Sequence, residues 1–115
     1  MTQHFDYRLD PPDEEHAPRR RVTVDELKSR REEIIAVGQR YGVSNIRVFG
    51  SVARGEADER SDLDLLVDIA PDVGLGLVSF ALDVEELLAV FTQVATVPGL
   101  KERIRDRVLA EAVQL

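Results

Sequence analysis

Two aspartates stand two residues apart in the stretch RSDLDLLVDI, whose apolar residues indicate a strand. Because strand side chains alternate between faces, Asp62 and Asp64 are expected on one face, while Leu63 and Leu65 face the core. The Cα atoms of these two aspartates are then about 6.6 Å apart, so the two carboxylates repel each other, and a hard divalent cation such as Mg2+ relieves that repulsion. The pair therefore indicates a metal site, although a solvated acidic edge strand has the same spacing.

A second candidate site, Gly50 and Ser51, follows a short apolar run. Glycine at the end of a strand allows a ligand to approach the backbone, and a serine at the start of a helical turn offers its hydroxyl and N–H groups to phosphate oxygens. The loop lacks the spacing and the lysine of a P-loop, so that class of site is excluded. Gly–Ser alone is also compatible with a simple turn. Followed by Arg54, Ser61 and the aspartate pair, it favours joint phosphate and metal binding.

The composition restricts the classes of partner. The chain has 115 residues, with 15 Lys plus Arg against 22 Asp plus Glu and a formal charge of −7, which opposes binding to a nucleic-acid backbone. A small triphosphate is compatible with this charge, because a bound divalent cation reverses the local field, and so is a basic protein partner. The absence of cysteine excludes disulfides, thiolate metal sites and a cysteine nucleophile.

The chain is expected to be one cytoplasmic domain with an N-terminal arm. No run of about 18 apolar residues is present, and charged residues follow Met1 closely, so neither a membrane span nor a signal peptide is predicted. Residues 1–22 contain three prolines and no apolar periodicity, which is typical of an arm. Residues 23–115 are then the folded domain.

Periodicity and turn residues predict the elements of this domain. Thr23 and Glu26 have capping-box spacing and predict a helix over about 24–41, ended by Gly42. The remaining expected elements are strands over 45–49, 62–69 and 92–97, one helical turn over 50–54, a polar loop over 55–61, and helices over 77–90 and after residue 99. This order predicts an α/β (α+β) fold in which helices flank one small mixed sheet.

The stretch GSVARGEADERSDLDLLV resembles the signature of the DNA polymerase beta-like nucleotidyltransferases, specifically the minimal nucleotidyltransferases encoded beside HEPN-domain toxins. The resemblance extends over roughly residues 24–115 and implies the polymerase beta-like nucleotidyltransferase fold. It also implies that Mg2+ and ATP are bound. The implied roles are triphosphate binding by Gly50 and Ser51, support of this phosphate loop by Arg54, and coordination of Mg2+ by Asp62 and Asp64. Arg54 and Ser61 are counted with Gly50 and Ser51 as nucleotide-binding residues.

The resemblance further implies an activity and a partner. Antitoxin members of this family transfer AMP from ATP to a tyrosine of their HEPN-domain RNase toxin and thereby silence it. The expected function is therefore that of a protein adenylyltransferase antitoxin in a hetero-oligomer with a toxin encoded nearby.

One position departs from the family pattern. The family usually has a third aspartate on the strand before the last helix, and aligning Thr96 and Leu100 with the family's Thr and Leu places Gln93 there. The third carboxylate is expected to take the proton from the attacking hydroxyl, which a neutral amide cannot do. Asp68 lies about 13 Å along the strand from Asp64 and cannot replace it. The reach of the acidic residues at 83, 85 and 86 is not decided by the sequence.

Two other functions stay open at this stage. Because of Gln93, the domain is alternatively a catalytically impaired binding module that masks its toxin stoichiometrically. A nucleotidyltransferase acting on RNA ends or on a small aminoglycoside-like acceptor is the third reading. It is the least favoured, because the chain has no second domain to hold a large acceptor.

Overall fold

Four strands form one mixed sheet in the computed structural model, which describes residues 20–115. The strands are β1 (Val43–Phe49), β2 (Leu63–Ile69), β3 (Thr92–Thr96) and β4 (Val113–Gln114). Strand β2 lies between β1, which is antiparallel to it, and β3, which is parallel to it; β4 is antiparallel to β1 on its other side. The predicted mixed sheet is confirmed, while β4, with two residues, was too short to give a sequence pattern.

The helices pack on both faces of the sheet, as the predicted fold class requires. They are α1 (Val24–Ser29), α2 (Arg31–Tyr41), α3 (Gly50–Arg54), α4 (Gly76–Leu88) and α5 (Glu102–Glu111), and a single 3₁₀ turn (Val97–Gly99) precedes α5. Gly42 ends α2 in the left-handed conformation, at φ 74°, as predicted. Among the helices of residues 20–115, none combines the length and the apolarity needed to cross a bilayer.

The single helix predicted over 24–41 is wrong in one respect, because it is broken at Arg30 (φ −113°, ψ 18°). Two arginine side chains bind the carbonyls at the end of α4: Arg30 donates to the carbonyl of Leu87 at 3.3 Å, and Arg20 donates to that of Leu88 at 2.7 Å. Cations are favourable at a helix C-terminus, where the carbonyls have no intrahelical partners. Apolar periodicity continues through the break and does not encode this distant contact.

The start of α1 shows half of the predicted capping box. The Oγ1 atom of Thr23 accepts from the N–H of Glu26 at 3.2 Å, but the carboxylate of Glu26 binds the guanidinium of Arg20. Val22 is only 3% exposed, so residues 20–22, the described part of the predicted arm, pack against the domain. The rest of the predicted arm, residues 1–19, lies outside the described residues, and the boundary at residue 22 stays a prediction.

Apolar clusters cover both faces of β2. The larger cluster includes Leu63, Leu65 and Val67 and packs against α1, α2 and α4. The smaller one lies under α5 and contains Leu66 and Val108, with Phe49, Ala95 and Ile104 packed against it. The expectation that only one face of β2 meets a core is therefore wrong, because Leu66, on the aspartate face, is fully buried. Because α5 covers the second face of β2, this strand is buried on both faces. Such strands lose the strict alternation of apolar and polar residues, which explains the near-continuous apolar run LDLLVDI.

Candidate active site

The two halves of the predicted site meet where β1 ends. The antiparallel register pairs Phe49 with Asp64, so the next residue, Gly50, lies beside the aspartate. Gly50 adopts φ 74°, and a Cβ atom placed on it would overlap the Oδ2 atom of Asp64. Only glycine leaves room for the carboxylate there, and glycine also tolerates the left-handed backbone. The proposed phosphate loop and one proposed metal ligand are thus in direct contact.

Gln93 lies beside Asp64 on the neighbouring strand. The parallel register pairs Asp64 with Gln93 and Leu66 with Ala95. Paired residues on adjacent strands are about 4.8 Å apart, and their side chains project from the same face. Leu66 and Ala95 both pack into the cluster under α5, which identifies the shared face. Gln93 is exposed, and its role in the reaction stays a prediction.

Asp62 immediately precedes β2 instead of lying in it, and it is half-buried like Asp64. Within residues 20–115, no group of three or more His, Cys, Asp and Glu side chains is arranged to hold a metal ion. Mg2+ commonly takes one or two carboxylates and completes its shell with water and substrate phosphates. Asp64 lies against the proposed phosphate loop, and Asp62 stands two residues before it in the chain. Coordination of Mg2+ by these two aspartates stays a prediction.

Asp68 belongs to a different environment. It is exposed near the far end of β2, where its carboxylate accepts from Arg47 at 3.0 Å and from the side-chain amide of Asn45 at 3.0 Å. These contacts engage both of its oxygens. Asp68 therefore serves an ion pair between β1 and β2 and does not reach the aspartate pair.

Two acidic residues of α4, Asp83 and Glu85, bind other groups. Asp83 accepts from the hydroxyl of Tyr41 at 2.6 Å, and this hydrogen bond raises the pKa of Tyr41 above its ordinary value. Glu85 accepts from the N–H of Thr92 at 3.1 Å, which places its carboxylate at the start of β3. Its contact is with the backbone one residue before Gln93 in the chain.

The loop between α3 and β2 closes on itself. The hydroxyl of Ser61 donates to Asp58 at 3.2 Å and accepts from the N–H of Asp58 at 3.0 Å. The N–H of Arg60 also donates to Asp58, and this bond is the main cause that lowers the pKa of Asp58. Ser61 is thus used in shaping the loop, and the nucleotide contact predicted for it remains a prediction.

Arg54 ends α3, whose second residue is the half-buried Ser51. Its guanidinium donates to Glu56 at 2.9 Å and to Glu111 at 3.0 Å. Hydrogen bonding to Glu56 and then to Glu111 raises the pKa of Arg54. Arg54 therefore ties the loop to α5, an arrangement consistent with the supporting role that the resemblance implies.

Glu111 is a residue of this site that sequence reasoning missed. Its Oε2 atom accepts from the N–H of Gly50 at 2.7 Å, and its other oxygen binds Arg54. Burial alone would raise the pKa of Glu111, but the bonds from Gly50 and Arg54 hold it below its ordinary value, so the side chain is a carboxylate at neutral pH. No local pattern signals a contact over 61 residues of sequence.

Two glycines allow the contact between Gly50 and Asp64 to be tested. Both Gly50 and Gly55 adopt φ 74°, but a Cβ on Gly55 would meet nothing within 4 Å. We expect Gly55→Ala to cost about 1 kcal/mol of unfolding free energy from backbone strain alone. We expect Gly50→Ala to cost roughly 1–3 kcal/mol more, because Asp64 must move. Chemical denaturation measures both, and equal losses would contradict the steric contact.

Comparison with known proteins identifies the family of this chain. A family model described as "Nucleotidyltransferase domain" matches residues 21–114. MJ0435 of Methanocaldococcus jannaschii, a candidate protein adenylyltransferase, is 34% identical over 95 residues, covering 82% of this chain and 99% of that protein. The protein adenylyltransferase MntA of Thermococcus cleftensis is 40% identical over 77 residues, covering 65% of this chain and 77% of that protein.

Solved structures confirm the predicted fold. The structure of a candidate minimal nucleotidyltransferase has a TM-score of 0.71 and 42% identity, covering 82% of this chain and 97% of that one. A toxin–antitoxin complex with AMP-PNP has a TM-score of 0.59 at 18% identity, covering 72% of this chain and 69% of that one. At that identity the second likeness supports the fold alone.

Proposed function

Since this chain belongs to the nucleotidyltransferase domain family, we propose that it transfers AMP from ATP to a tyrosine hydroxyl of a protein partner. The contact between Gly50 and the carboxylate of Asp64 carries the proposal, because it puts a proposed phosphate loop against a proposed metal ligand. Two relatives bear protein adenylyltransferase names, which favours a protein as the acceptor.

The chain's own residues bind and orient the nucleotide in this reaction. Ser51 and the backbone of α3 bind the triphosphate, and Asp62 and Asp64 would hold Mg2+, which supplies positive charge that polarises the phosphate oxygens. The acceptor oxygen forms a bond to the α-phosphorus. The bond between this phosphorus and the oxygen that bridges it to the β-phosphate breaks, and pyrophosphate leaves. Because Gln93 is neutral, the hydroxyl proton passes to solvent water.

The proposed partner is a HEPN-domain toxin encoded nearby, with which the chain forms a hetero-oligomer. The resemblance to minimal nucleotidyltransferases supports this assignment, and the name of the MntA relative, a protein adenylyltransferase, supports a protein partner. The net charge of −7 suits the basic surface expected of an RNase. A cytoplasmic location belongs to the same proposal, because both ATP and the toxin's RNA substrate are found there.

Stoichiometric masking of the toxin is the second candidate function. Gln93 favours it, since the residue in register with Asp64 cannot act as a carboxylate base. In that case the nucleotidyltransferase fold serves as a binding surface, and its chemistry is vestigial.

The test uses the full chain, Mg2+, ATP labelled at the α-phosphate and the toxin encoded beside this gene. The label is expected on the toxin, on a tyrosine, and a substoichiometric amount of this protein should inactivate many toxin molecules. Inhibition that needs equimolar protein and leaves no label would establish masking instead. Label on RNA or on a small acceptor would overturn the choice of protein as the acceptor.

A further inference from the structure

Glu111 joins the end of α5 to the proposed phosphate loop. One carboxylate oxygen accepts from the N–H of Gly50 at 2.7 Å, and the other accepts from Arg54 at 3.0 Å. The Glu111 side chain is 15% exposed, against 65% for Glu56, the other carboxylate that binds Arg54. A shielded carboxylate with two donors, one of them charged, makes stronger and better-defined hydrogen bonds than an exposed one.

We propose that Glu111 is a positioning residue for nucleotide binding, an inference that rests on the proposed nucleotidyltransferase function. Glu111 fixes Gly50 from its N–H side, while the carboxylate of Asp64 lies against the Cα of the same glycine. A glycine without a side chain has little else to restrain it. The bond from Glu111 therefore sets where the loop stands relative to the proposed metal ligand.

The chain that follows α5 holds Glu111 in place. Ala112 leaves the helix in an extended conformation, and β4 then pairs with β1 through Val113 and Val48. The N–H of Leu115 adds a bond to the carbonyl of Ile46 at 3.0 Å. The C-terminal strand thus anchors the carboxylate beside the same strand end from which Gly50 departs.

This contact also changes which groups are offered to phosphate. While the N–H of Gly50 donates to Glu111, it does not donate to a phosphate oxygen. The groups that donate to phosphate are then those that follow Gly50 in the chain. A carboxylate that merely competed with phosphate for the loop would weaken nucleotide binding. A positioning carboxylate strengthens nucleotide binding. Removing Glu111 therefore tightens nucleotide binding if the carboxylate competes with phosphate, and weakens it if the carboxylate positions the loop.

The experiment compares the full-length wild type with Glu111→Ala, Glu111→Gln and Glu56→Gln. Calorimetry measures the dissociation constant of Mg-ATP, and AMP transfer to the toxin gives KM for ATP and kcat. Glu111→Ala is expected to weaken Mg-ATP binding roughly 10- to 100-fold, the usual loss when a residue that orients a binding group is removed. Glu111→Gln keeps an acceptor for the N–H of Gly50 and should recover part of the lost Mg-ATP affinity. Glu56→Gln is a matched change at an exposed partner of Arg54 and should bind Mg-ATP as the wild type does.

The outcomes separate this inference from the proposed function. If the wild type binds Mg-ATP and both Glu111 variants bind it equally well, the positioning role is overturned and the enzyme proposal stands. Tighter binding by Glu111→Ala would also overturn it, in favour of competition with phosphate. A wild type with no Mg-ATP affinity would refute the proposed function and this inference together. Should Glu111→Ala fail to fold, the affinity of Glu111→Gln decides in the same way.

Discussion

Asp64→Asn is expected to slow AMP transfer by roughly 10³-fold, because a metal ion held beside the phosphates contributes several kcal/mol to the transition state. Asparagine has nearly the same shape, so the packing against Gly50 is retained while the negative ligand is lost. The measurement is the initial rate of label transfer from α-labelled ATP to the toxin at saturating Mg2+.

Asp68→Asn is the matched control for this change. It alters the same residue type on the same strand, but Asp68 is exposed and pairs with Arg47. Its rate of transfer should stay within about twofold of the wild type, since the carboxylate of Asp68 binds Asn45 and Arg47 near the far end of β2, away from the proposed phosphate loop. Equal losses in the two variants, or a full rate in Asp64→Asn, would refute the assignment of Asp64 as a metal ligand.

Gln93→Asp is expected to raise the rate of transfer by roughly 10² to 10⁴, the range that a well-placed general base supplies. The register with Asp64 puts the new carboxylate beside the aspartate pair, and the exposure of Gln93 leaves room for the acceptor. In the absence of Mg2+ the added like charge should lower the unfolding midpoint, and Mg2+ should restore it. Single-turnover label transfer and thermal unfolding with and without Mg2+ measure both effects.

Gln39→Asp adds the same charge at an exposed position of α2 and serves as the control for net charge. It should change neither the rate nor the dependence of the unfolding midpoint on Mg2+. If Gln93→Asp binds Mg-ATP, folds normally and still transfers no faster than the wild type, then position 93 is not the place of the missing base. A rise from no detectable transfer would show that the natural protein has lost catalysis at this position.

Local patterns were sufficient for most of the fold. Apolar periodicity located α2, α4, α5 and three strands, because side-chain spacing follows backbone geometry. The cap at Thr23 and the stop at Gly42 were readable because both depend on near neighbours. The break at Arg30 was not readable, since the side chain bonds to a helix end 57 residues away.

The sequence also indicated the residues of the candidate site, but it did not show how they are arranged in space. Gly50, Asp64 and Gln93 were selected by chemistry and by resemblance, and the strand registers then placed Asp64 between the other two. The expectation of a single buried face for β2 failed at Leu66, because a strand pattern does not show which helix returns to cover the second face.

By itself the sequence determined most of the elements and the residue types from which the site is proposed, because both follow from short-range spacing and from residue type. Only the tertiary structure decided that Asp64 touches Gly50, that Gln93 stands in register with it, and that Glu111 holds the loop. The physical reason is that strand pairing and helix docking join residues far apart in the chain. Their contacts depend on the packing of the whole domain, which no local pattern of residues specifies.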